Sequence, residues 1–130
     1  MLVRRDLPPT QIAVQAIHAA IEASRHFLSP EHQHPNLVLC RASSERDLLA
    51  AADRLDRLGI RFQIFREPDQ RGEATALATE PLGPDRRGFL ARYPCLTHRD
   101  LLAAINIEVE SRGSTLQKEN PISSFLEDVP

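Results

Sequence analysis

Residues 11–27 constrain this chain more than any other stretch. They hold no glycine or proline and are rich in alanine, and the spacing predicts a helix over 11–27 with Thr10 as its cap. At about 100° per residue, Val14, Ile17, Ile21 and Leu28 share one sector. Ile12, Ala13, Ala16, Ala19, Ala20, Ala23 and Phe27 fill most of the remainder. Gln11, Gln15, His18, Glu22 and His26 fall on one strip roughly 80° wide. A helix apolar over so much of its circumference is expected to pack on more than one side, its alanines admitting a neighbouring backbone. The polar strip then lies on the floor of a groove or at the edge of an interface.

The rest of the chain supplies strands for that helix to cover. Residues 1–5 read as a short strand, broken by Asp6-Leu7-Pro8-Pro9. Residues 36–42 form a near-continuous apolar run of strand length. Ser44 with Asp47 makes a variant capping box for a second helix, ERDLLAAADRLDRL, which Gly59 closes. Residues 60–66 alternate as a third strand, 67–73 form a polar loop, and 74–79 form a fourth strand ended by Pro81. Residues 84–90 read as a short helix. Thr97 caps a last helix that Gly113 ends. The expected organisation is a domain over 1–96, an added helix over 97–113 and a polar tail over 114–130. This order is α/β. Each long helix can cross between parallel strands, whereas the short Gly72-centred connection favours an antiparallel pair.

Composition narrows the function classes. The 130 residues, 42% hydrophobic, suit one domain with a real core. No run of 18 or more apolar residues occurs, so no membrane span is expected. Asp6 and two prolines stand where a signal peptide needs its apolar stretch, which points to the cytoplasm. With 16 basic against 18 acidic residues, a net charge of -2 excludes a strongly basic DNA binder but leaves room for a local basic patch. Aromatics at 5% and no Trp give no stacking platform for single strands. The only lysine is Lys118, near the C-terminus, which argues against a catalytic lysine in the core.

Cys40 reads as a small buried hydrophobe, and Cys95 has no base beside it. Two cysteines form neither a disulfide scaffold nor a CxxC pair. His32-Gln33-His34 lacks further ligands at a metal spacing. Residues 83–88 carry neither Walker nor dinucleotide spacing. No metal and no cofactor is expected.

Two amides, an imidazole and a carboxylate on the helical strip could do hydrolytic work. A glutamine can position a water or hold an oxyanion, and an imidazole can act as donor or base. The same residues also suit an ordinary solvated helix face.

Asp6-Leu7 followed by Gln15-Ala16-Ile17-His18-Ala19-Ala20 resembles the type II peptidyl-tRNA hydrolase family. The resemblance runs through NLVLCRASSERDLLAAADRLDRLGI, FQIFREPD and TALATEPL, over roughly residues 1–93. Through Glu67-Pro68-Asp69 the chain is most similar to the type II-like, or peptidyl-tRNA hydrolase domain-containing, branch. The resemblance implies a four-stranded mixed sheet with helices on both faces, a three-layer αβα fold. It implies hydrolysis of the ester joining a peptide to the 3′ ribose of tRNA.

On that reading His18 or Glu67 serves the water, Gln15 holds substrate or oxyanion, and Asp6 orients a partner. Arg4, Arg5, Arg66 and Arg71 take phosphates, beside Gln11, Asp69 and Thr75. Family members carry a lysine where Gln11 stands, and the family's acidic turn is altered here. A non-catalytic RNA- or protein-binding module that keeps the fold is therefore the alternative. A homodimer is expected from the first helix, apolar beyond one face.

Overall fold

The computed structural model describes residues 1–32 and 35–102. Strand β1 (Leu2–Arg4) leads to helix α1 (Pro9–Phe27), then β2 (Cys40–Ala42) and helix α2 (Glu45–Arg57). Strands β3 (Phe62–Glu67) and β4 (Glu73–Thr79) follow, joined by a 3-10 turn, and a longer 3-10 segment covers Pro84–Arg92. Helix α1 begins earlier than its alanine pattern indicates. Pro8 rather than Thr10 holds the N-cap position and Pro9 lies in the first turn, where a missing N–H goes unnoticed. Ser44 caps α2 as expected, accepting from the Asp47 amide at 3.2 Å. The returning Asp47 carboxylate reaches the Ser43 amide at 2.8 Å, one residue earlier than in a standard box. Strand β2 is shorter than its apolar run, because Leu37 (71% exposed) and Val38 stay outside the sheet.

The sheet order is β2-β1-β4-β3. β1 and β2 are parallel, and β4 runs antiparallel to both β1 and β3. β1, β2 and β3 therefore all point the same way. Their C-terminal ends share one edge of the sheet with the N-termini of both helices.

Successive residues of β1 face opposite ways. Leu2 packs with Cys40, Ala42, Leu77 and the α2 residues Leu48, Ala51 and Leu55. Val3 packs with Ala76, Ala78 and the α1 residues Ile12, Ala16, Ala19 and Ala23. The chain is thus an α/β structure with a four-stranded mixed sheet and a helix on each face. The expectation that α1 packs on more than one side is corrected: Val14, Ile17 and Ile21 are exposed. Small side chains on both α1 and β4 let the helix lie close to the sheet, and this selects the alanine sector over the larger aliphatics.

The β3–β4 ladder contains a bulge. Phe65 pairs with Ala76, but Arg66 pairs with Ala74, so Thr75 is the extra residue. Strict alternation from Leu77 would turn Thr75 toward α2 and Ala74 toward α1. The bulge reverses both, placing Ala74 in the α2 cluster and Thr75 in contact with α1. In the β3–β4 connection, Arg71 and Gly72 both adopt left-handed backbone, with φ of 56° and 73°.

Residues 98–102 are helical, after Thr97. The remainder of the predicted last helix, the 114–130 tail and Lys118 lie outside the described residues. The Asp100 carboxylate accepts from the Thr97 amide at 2.8 Å, from its hydroxyl at 2.9 Å, and from Arg41. The Thr97 amide first, and then its hydroxyl and Arg41, hold the Asp100 carboxyl below its ordinary range against the opposing effect of burial. Burial raises Glu80, but the Arg61 amide and the guanidinium groups of Arg61 and Arg86 more than offset it.

Both folded-state values are depressed, so both groups contribute stability above the unfolded carboxylate range of about 4. That contribution is lost as pH falls through this range and the folded values below it. Acid titration of unfolding should show this loss, and Asp100→Asn should flatten it. Among the described residues, no helix is long and apolar enough to cross a membrane.

Candidate functional site

Three residues of the α1 strip face the C-terminal half of β3. Gln15 is fully buried. Its Nε2 donates to Glu67 Oε2 at 2.6 Å and to Gln11 Oε1 at 3.1 Å. Its Oε1 accepts from Thr75 Oγ1 at 2.7 Å. Both amide protons and the carbonyl are therefore used, as a buried amide requires. One helical turn on, the His18 ring stacks flat on Phe65, with centroids 4.5 Å apart and planes 7° from parallel. Phe65 and Glu67 lie two residues apart on the same strand face, so helix and strand periodicities meet there. The bulge is what lets Thr75 close the group.

The unused valences set what this cluster can do. Among the described residues, Glu67 Oε1 accepts no hydrogen bond and Gln11 Nε2 donates none. Gln11 and Glu67 are half-buried and His18 is exposed. A half-buried carboxylate fixed by one oxygen thus leaves the other without a described partner, in a cluster that also carries an amide donor and, one helical turn on, an imidazole. This can orient a water and offer a proton donor to a developing negative charge.

Arg4 and Asp6 form a separate arrangement. Arg4 grips Asp6 through Nε at 2.9 Å and Nη2 at 3.0 Å, and reaches Glu73 at 2.8 Å and the Ala74 carbonyl at 3.3 Å through Nη1. The hydrogen bond to Asp6, and next that to Glu73, raise the guanidinium further above its ordinary value despite burial. Arg4 therefore turns inward to bind two carboxylates instead of facing a phosphate. Asp6 is occupied by Arg4.

Arg5 is exposed and lines a polar depression of about 340 Å³ with Arg41, Ser43, Asp47, Arg92 and Tyr93. Arg66, Asp69 and Arg71 are exposed in and before the turn that follows Glu67, and Arg66 donates to the Gly72 carbonyl at 3.2 Å. None of these three joins the hydrogen-bonded cluster. Sequence reasoning missed Phe65, Glu73, Arg41 and Arg92. Phe65 had a usable signal, since alternation along β3 puts it on the Glu67 face. Glu73 meets Arg4 because β1 and β4 are neighbours, whereas Arg41 on β2 and Arg92 in the 3-10 segment come together only around the Arg5 depression.

A second cavity, about 390 Å³, lies at the opposite end of the sheet. Phe27, Leu37, Val38, Leu82 and Leu90 are among its mostly apolar walls. Gln15, Glu67 and His18 are not part of it. Among the described residues, no three His, Cys, Asp or Glu side chains converge on a metal-sized site. No protein-family model matches the chain, and neither does any curated protein.

Proposed function

We propose that the chain is a peptidyl-tRNA hydrolase-like protein of the type II-like branch, acting in the cytoplasm on the ester between a peptide and the tRNA 3′ ribose. One observation carries this reading. Glu67 is held through one oxygen by a buried glutamine, itself held by Thr75, while its other oxygen has no partner among the described residues. A base, its orienter and a third group behind the orienter make the usual frame for activating a nucleophile.

In the proposed step, Glu67 Oε1 takes a proton from a water as that water attacks the ester carbonyl. Gln11 Nε2 donates to the oxyanion, and the proton returns to the departing 3′ oxygen of the ribose. Gln15 is a positioning residue, because it has no proton left for an oxyanion. His18, exposed and steadied by Phe65, is the other candidate for the water. Arg5 and Arg92 would take phosphates of the tRNA, and Arg66 and Arg71 flank the reacting end. No cofactor enters this scheme. The exposed Val14, Ile17 and Ile21 would seat a second copy of the chain in a homodimer.

The second reading is a non-catalytic RNA- or protein-binding module. It is favoured by the neutral Gln11 at the position of the family's lysine, and by Arg4 being tied to Asp6 and Glu73. Release of peptide from a peptidyl-tRNA mimic separates the two. Turnover by the folded wild type, reduced in folded His18→Ala or Glu67→Gln, supports the hydrolase. Absence of turnover above a contaminant control, with tRNA still bound, supports the binding module.

A further inference from the structure

The chain has two cysteines, 55 positions apart, and the fold sets them opposite each other: Cys40 on β2 pairs with Cys95 in an isolated antiparallel bridge. The flanking hydrogen bonds run from the Arg41 amide to the Pro94 carbonyl and from the Leu96 amide to the Leu39 carbonyl, both 2.9 Å. Bonds on either side of the pair, and none within it, mark a non-hydrogen-bonded antiparallel pair. Such pairs have the closer Cα spacing, about 4.5 Å, with both side chains on the same face. Disulfides span Cα separations of about 4.4–6.8 Å, so this spacing falls inside their range. Both thiols are free. Cys40 is 1% exposed, whereas Cys95 is exposed. Burial pushes the Cys40 thiol up, and the adjacent Cys95 adds to the shift.

We propose that Cys40 and Cys95 form an oxidation site that closes to an intramolecular disulfide by exchange with a low-molecular-weight disulfide such as glutathione disulfide. The exposed Cys95 thiolate attacks one sulfur of the reagent. The reagent's S–S bond breaks, and one glutathione leaves. The Cys40 thiolate then attacks Cys95 Sγ and expels the second glutathione. Two protein thiols are oxidised and one glutathione disulfide is reduced to two thiols, which take up the two protons. The new bond ties residues 94–96 to β2, an edge strand that this segment already partly covers. The inference stands on strand register and exposure alone and is independent of the hydrolase reading.

The test treats the folded full chain with glutathione disulfide and reads intact mass, free thiols and a non-reducing gel. The expected wild-type product is monomeric, two hydrogens lighter than the reduced chain, with no free thiol and no attached glutathione. Cys40→Ser should keep one glutathione on Cys95, and Cys95→Ser should stay unmodified because Cys40 is buried. A wild-type chain that keeps a glutathione on Cys95, links to a second chain, or does not react overturns the proposal. The wild-type result decides even where a variant fails to fold.

Discussion

Glu67→Gln is expected to slow peptide release about 10²–10⁴-fold, the usual worth of a positioned general base. The substitution keeps the shape of the side chain, and its carbonyl oxygen can still accept from Gln15 Nε2. The fold should therefore survive, although a charge-assisted bond of 2.6 Å becomes a neutral and weaker one. What disappears is the basic carboxylate oxygen that Gln15 leaves unbound. Single-turnover release at saturating substrate measures the loss, with circular dichroism confirming the fold. A rate within a few-fold of wild type would transfer the water to His18. Thr75→Val should give a smaller loss, since it frees only the far end of Gln15 and leaves the carboxylate chemically intact.

Leu77→Ala is expected to be the most destabilising single truncation in β4, costing about 2–5 kcal/mol. β4 lies between β1 and β3, and Leu77 is fully buried among the side chains that meet α2. Every other residue over 74–79 is alanine or threonine, so Leu77 is the one large apolar side chain this strand offers the core. Its neighbours are strand and helix backbones held by their own ladders, and they cannot collapse into the gap. For a chain of this size such a loss lowers the melting temperature by roughly 10–20 °C, which calorimetry reads directly. A cost under about 1 kcal/mol would mean that α2 shifts to refill the space.

Helix periodicity brings Gln11, Gln15 and His18 together but does not assign their roles, and Glu67 and Thr75 are singled out only by the resemblance. Gln11, Gln15 and His18 share a face because a helix repeats about every 3.6 residues, and that periodicity is written in the chain. Pro68 and Asp69 make Glu67 read as the start of a loop, whereas it ends β3 and pairs with Glu73. Arg4 has the composition of a phosphate ligand, but its environment, Asp6 beside it and Glu73 sixty-nine positions away, assigns it to the interior. Charge alone does not reveal burial, and burial depends on which strands become neighbours.

The amino-acid order by itself determined the order of elements through the fourth strand, the Ser44 cap, the antiparallel last pair and the α/β class. Each of these follows from hydrogen bonding and side-chain periodicity within a dozen or so residues. Tertiary structure alone decided which side of α1 is covered, where the sheet places Cys40 against Cys95, and that Thr75 reaches Gln15. The last of these turns on a single extra residue in the ladder. A one-residue shift in a strand moves a side chain to the opposite face, and no local propensity distinguishes the two registers. Pairing with β3 and packing under α1 select between them, and both are contacts between parts of the chain far apart in sequence.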